Sequence, residues 1–148
     1  MTTETTNAFA QIQVTLPIDE QRVRDLLCGA WKGGSTYWCG SLGRDVPPEA
    51  KVLIDAELAK RGEKRLYGHE YAFFPGVKVN LTDAIGEIDS IPEHPLPWVL
   101  TREKLIAGLQ VMATKYPRHF ADFQAENDDA DTSDVYFQCC LFGEIVFG

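Results

Sequence analysis

The sequence predicts an α+β fold: one domain with helices packed on one face of a mostly antiparallel sheet. Three observations lead there. Apolar residues alternate at period two in some stretches, as half-buried strands require, and recur at helical spacing in others. The two kinds of stretch are interspersed, and no repeat, low-complexity tract or shift of composition divides the 148 residues into two units. A chain of this length can bury about 68–70% of its unfolded surface, so a core needs no disulfide or metal to support it.

Taken in order, residues 1–8 are polar and Thr-rich and are expected to form a flexible arm, leaving residues 9–148 as the domain. Ala10, Ile12, Val14 and Leu16 alternate as in a strand, which Pro17 ends. Asp19 is placed to cap a helix carrying Val23, Leu26, Leu27, Ala30 and Trp31 on one face, and Gly33 and Gly34 stop it. Ser35 to Leu42 is aromatic and β-prone, a short strand or an ordered loop. Pro48 suits the first turn of a second helix running to Arg61, with Gly62 as its left-handed cap.

Residues 69–81 resemble a hairpin, with Tyr71 and Phe73 alternating before Pro75-Gly76, and Val77, Val79 and Leu81 after it. From Asp83 to Pro97 prolines and glycines break every period, which predicts an irregular surface connection. Thr101 caps a helix with Leu105, Ile106, Leu109, Met112 and Ala113 on one face, and Pro117 ends or kinks it. A short turn follows through Phe120 and Phe123. A final helix carries Val135, Gln138, Cys139 and Phe142, with Gly143 as its cap, and Glu144 to Phe147 are expected to close the sheet as a last strand.

Composition excludes several classes of function. A net charge of −8 without clustered Lys and Arg argues against direct binding of nucleic acid. It suits either solubility or attraction to a basic partner surface. The first residues lack the basic and apolar regions of a secretory leader, and no apolar run reaches 18 residues, so neither a signal peptide nor a membrane span is expected. Cys28, Cys39, Cys139 and Cys140 contain no C-x-x-C pair, and adjacent cysteines bridge poorly. Free thiols in a reducing cytoplasm are the expectation, with no metal and no cofactor.

The candidate contact surface is the segment Trp31, Lys32, Gly33, Gly34, Ser35, Tyr37 and Trp38, joined by Arg44. Aromatic side chains beside two glycines can stack on a ligand or anchor a protein partner, because glycine permits close backbone approach and aromatics dominate binding energy. The competing reading is a helix-to-strand turn whose aromatics belong to the core. One lysine and two glycines do not make a phosphate-binding P-loop.

The acidic stretch with Asp128, Asp129, Asp131 and Asp134 also has two readings: helix capping, or a partner-facing acidic patch. Asn127, Asp129 and Asp131 have calcium-loop spacing, but Thr132 stands where glycine is needed and Gln138 where a bidentate glutamate is needed. No metal is assigned. His69, His94 and His119 fall in no catalytic frame, and nothing selects a Cys–His pair such as Cys39 with His69, so no catalytic residue is assigned.

Two stretches together carry a resemblance. Gly33-Gly34-Ser35 leads into Tyr37-Trp38, and Asp129-Ala130-Asp131 runs through Asp134-Val135 and Gln138 to Leu141-Phe142-Gly143-Glu144-Ile145-Val146-Phe147-Gly148. This pairing resembles a family of small proteins of tailed bacteriophages and prophages, over roughly 40 residues in the two end thirds of the chain. The resemblance implies a setting and no activity: an accessory protein in the cytosol of an infected bacterium.

Small acidic proteins in that setting suggest an inhibitor of a host defence system, a CRISPR or restriction effector with a basic surface. The alternatives are a sponge for a nucleotide second messenger, a small thiol-dependent enzyme, and a scaffold without a ligand. A homo-oligomer remains open.

Overall fold

Thr132 to Cys140 are buried without interruption, and this run forms the axis of the molecule. The computed structural model describes residues 8–84 and 91–148. The buried run lies in helix α5 (Ala130–Phe142), and a helix buried on every face must be wrapped by other elements.

Two close crossings show how. A methyl group at Gly108 of α3 (Arg102–Lys115) would meet the Cys140 side chain and come within 3.0–3.1 Å of its backbone. A methyl at Gly34 would lie 2.7 Å from the Ala130 carbonyl oxygen. Glycine at these two positions lets α3 and the end of the first helix approach α5 backbone to backbone.

Helix α1 (Glu20–Gly29) begins at Asp19, which has the extended backbone of a cap but whose side chain accepts no bond from the helix. It runs into a π-turn (Ala30–Gly34), closed by the Ser35 N–H donating to the Ala30 carbonyl at 2.9 Å, five residues back. The predicted stop at Gly33 and Gly34 is therefore real, and takes the form of a widened last turn.

Strand β1 (Cys39–Asp45), β2 (Lys78–Asp83) and β3 (Trp98–Leu100) form an antiparallel sheet in that order. The β1–β2 register shifts between Ser41 and Gly43, a bulge that Gly43 permits at φ 116°. Val79 and Leu81 of β2 point into the core, as their alternation predicts. Helices and antiparallel sheet together make an α+β fold, as expected.

Helix α2 (Pro48–Arg61) has Pro48 in its first turn and Gly62 in the left-handed cap at φ 70°, both as expected. Thr101 caps α3 by accepting from the Lys104 N–H at 3.3 Å. Ile106, expected on the buried face of that helix, is instead exposed, because Leu105, Gly108 and Met112 take the α5 side. Pro117 starts α4 (Pro117–Gln124) in place of merely ending α3.

Four expectations need correction. Residues 10–16 form no strand; they run exposed, without a partner in the sheet. The first arm of the expected hairpin is a 3₁₀ turn (Gly68–Phe73), because Glu70 folds inward to accept from the Tyr67 N–H at 3.0 Å and to pair with Arg61 at 2.8 Å, which buries five consecutive residues. Strand β3 was not foreseen between Pro97 and Thr101; three residues are too few to establish a period. The segment 144–147 is not a strand either, although it is tied to the core. The arm expected over 1–8 lies, apart from Ala8, outside the described residues.

Candidate functional site

The two stretches that carry the resemblance meet in space, on the Asp134 carboxylate. Asp134 projects from the second turn of α5 and is buried. Its Oδ1 accepts from the Ser35 hydroxyl and from the Trp38 indole N–H, both at 2.7 Å, and its Oδ2 accepts from the Tyr37 hydroxyl at 2.7 Å. Three short charge-assisted bonds supply what a buried carboxylate needs in place of water. Asp134 thus holds the loop after the π-turn against α5, and faces inward rather than toward a partner.

One turn further along the same face, Gln138 holds the C-terminal segment. Its Oε1 accepts from the Val146 and Phe147 N–H groups at 2.7 and 2.8 Å, and its Nε2 donates to the Phe147 carbonyl at 3.1 Å. The Phe147 ring then stacks on Trp38, centroids 4.9 Å apart and planes at 11°. Trp38 also packs against Trp98, Phe137 and Phe142. With 1% of its surface exposed, Trp38 is the centre of an aromatic cluster and is not available as a contact residue.

Ser35, 1% exposed and bonded to Asp134, and Gly34, packed against the Ala130 carbonyl, are likewise structural and not contact residues, whereas Lys32, Gly33 and Tyr37 face outward around the π-turn. Tyr37 is 49% exposed even though its hydroxyl is fixed. Burial and the neighbouring Asp134 charge push that hydroxyl up to about 12, so it stays protonated and keeps donating. Lys32 is exposed, with Nζ 5.6 Å from the centre of the Tyr67 ring, and Tyr67 stacks in turn on His69 at 6.2 Å. Trp31 is half-buried between Phe137 and Gly68. Gly33 has open space around it. Arg44 does not join this group: it lies past the bulge in β1, over the Tyr71 ring at 3.6 Å.

The acidic stretch is similarly divided. Asp128 pairs with Arg22 at 3.1 Å, and Asp129 caps α5 by accepting from the Thr132 N–H at 3.0 Å, a bond that lowers its pKa. Asp131 is left exposed in the first turn of α5. Capping and internal pairing thus account for three of the four aspartates. No group of three or more His, Cys, Asp or Glu able to hold a metal ion occurs among the described residues.

A cavity of about 110 Å³ opens beside the π-turn, lined by Trp31, Ser35, Thr36, Cys39, Ser41 and Phe137 among others. The Cys39 thiol there is pushed up to about 12, by burial first and then by the Asp134 charge, and burial raises Cys139 equally. Both are poor nucleophiles at neutral pH. Sequence reasoning missed Tyr67 and Gln138. Tyr67 reaches the surface beside Lys32 only through the 3₁₀ turn, whereas Gln138 carried a usable signal: it sits four residues after Asp134, on the same face of a helix otherwise apolar there.

No protein-family model, curated protein or solved structure matches the chain. Among the described residues, no helix is long and apolar enough to cross a membrane.

Proposed function

We propose that this protein acts by binding another protein through the surface around the π-turn, formed by Lys32, Thr36, Tyr37 and Tyr67. The observation that carries the reading is the state of Tyr37: its ring is half exposed while its hydroxyl is locked to a buried carboxylate. An aromatic side chain held this way loses little further freedom on contact, and such pre-organised aromatics are the usual anchors of protein interfaces. Joined to the resemblance to phage proteins and the net charge of −8, this supports an inhibitor of a host defence effector with a basic surface, acting in the infected cytosol.

The alternative of a nucleotide sponge fits less well. A drug-sized ligand needs roughly 300–1,000 Å³, more than the cavity beside Trp31 supplies, and no Lys or Arg lines it. A larger groove of about 470 Å³ does contain Arg24, Lys60 and Arg102, but Arg24 and Arg102 are already bonded to Glu20. A thiol enzyme would require a thiolate that burial disfavours at Cys39 and Cys139.

The test uses bacteria carrying a CRISPR or restriction effector. Expression of the chain should restore phage plating, and Tyr37→Ala or Lys32→Glu should abolish the effect while the purified variants remain folded. If the chain restores plating on no such host, or if both variants act like the parent, the reading is wrong.

A further inference from the structure

A second surface, separate from the π-turn, carries no charge at all. Between Ala8 and Ile18 there is no charged residue, and none between Leu105 and Thr114 of α3, in a chain where 24% of residues are charged. The structure brings these two runs together: a groove of about 690 Å³ lies between them, lined by Ile12, Val14 and Leu16 of the arm and by Leu109, Ala113 and Phe120 of the helices. Of these, Ile12 is 84%, Val14 71% and Leu16 46% exposed; Ile106, which lines the adjoining pocket with Ile18 and Leu109, is 59% exposed, and Phe9, earlier in the arm, is fully exposed. Exposed apolar residues in one contiguous patch mark an interaction surface.

The arm itself names the occupant. It has the alternation of a strand, yet no backbone–backbone hydrogen bond joins residues 8–18 to any other described residue. Pair the segment antiparallel with a second copy of itself about Gln13. Ala10 then faces Leu16, Ile12 faces Val14, Gln11 faces Thr15, and Gln13 faces Gln13. Every apolar residue meets an apolar residue on one face, small opposite large, and every polar residue meets a polar one on the other. A strand that is its own complement in this register suits a two-fold axis, which repeats each contact in both directions.

We infer that the chain forms a homodimer in which the arms of two copies pair antiparallel about Gln13, the apolar face of the ribbon settling into the neutral grooves beside α3. Charge favours this occupant. Two copies of net charge −8 repel over most of their surfaces, and here they can approach without bringing like charges together. A basic partner would gain nothing from this face. The five apolar side chains Phe9, Ile12, Val14, Leu16 and Ile106, at roughly 60–120 Å² each when fully covered, offer on the order of 400 Å² a side. The ribbon backbone and Leu109, Ala113 and Phe120 raise this toward the ~800 Å² per partner of a standard interface.

Sedimentation velocity of the full chain, from micromolar to sub-millimolar concentration, should show a species of twice the chain mass. Val14→Lys places a charge at the centre of the ribbon and should raise the dissociation constant about 100-fold or more, with the circular dichroism and urea midpoint of the monomer unchanged. Register is read separately by cross-linking: Gln13→Cys should give a covalent dimer under mild oxidation, because the residue faces its own copy, whereas Gln11→Cys should not. A chain that stays monomeric throughout, a dimer that survives Val14→Lys, or equal cross-linking through positions 11 and 13 would each overturn the inference.

Discussion

The two ends of the chain carry the same signal and have opposite fates. Residues 10–16 alternate apolar and polar residues, and residues 144–147 set Ile145 and Phe147 in alternation with Glu144 and the apolar Val146; both are expected to be strands, and neither is one. The C-terminal segment is nevertheless held: Gln138 offers a side-chain amide that mimics a neighbouring strand, Tyr116 accepts from the Ile145 N–H at 2.8 Å, and Phe147 stacks on Trp38. The N-terminal segment has none of this. Alternation therefore marks a backbone that needs hydrogen-bond partners and a side-chain row that needs cover, without saying what provides either.

The contrast is open to attack first at Trp38, the platform of the anchored end. Trp38→Ala removes the stack under Phe147, three further aromatic contacts and a bond to Asp134, and should cost about 3–5 kcal/mol in urea denaturation. A loss below about 1 kcal/mol would mean that the cluster is not the core it resembles. Deletion of residues 144–148 should cost less, about 2–3 kcal/mol, since Phe147 and four hydrogen bonds to the tail backbone are lost while the platform remains. Gln138→Leu is the narrower version. It should cost about 1–3 kcal/mol, from unpaired N–H groups of the tail, and should raise amide exchange at Val146 and Phe147 selectively.

A pH series sharpens the comparison, because the tie through Gln138 has no titratable group and should not vary with pH. His69 should vary. Burial lowers its pKa from the ordinary 6.5, and its Nδ1 is buried without a partner. The unfolded chain therefore binds a proton more readily than the folded one. The contribution of the neutral ring is complete above pH 6.5 and is lost as pH falls through that value toward the lower folded one. The loss of stability between pH 7 and 5 should shrink in His69→Gln, measured by thermal melts at several pH values.

The smallest effect is expected at the free end. Deletion of residues 1–16 should change the stability of the dilute monomer by no more than about 0.5 kcal/mol, because those of its residues that the structure describes are exposed. A large loss at high dilution would show that the arm packs on its own chain.

Much of the fold was legible from local rules. Pro48, Gly62, Thr101 and Gly143 mark helix ends by their own backbone chemistry, and each does so in the structure. The period of Val77, Val79 and Leu81 identified β2 for the same reason. The candidate site was legible only as two motifs: Ser35, Tyr37 and Trp38 on one side, Asp134 on the other. Their meeting depends on contacts across roughly a hundred residues of chain, and no local pattern encodes which buried carboxylate an indole will find.

The sequence by itself determined where helices begin and end, which residues must be covered, and that the chain is acidic with two neutral runs. Those properties follow from side-chain shape, backbone freedom and charge, which each residue carries wherever it is placed. Only the tertiary structure decided that Trp38 is core while Tyr37 is surface, that Asp134 and Gln138 are fasteners, and that one alternating end is tied while the other is free. Burial and hydrogen bonding are relations between distant residues, so they exist only once α5 has been wrapped.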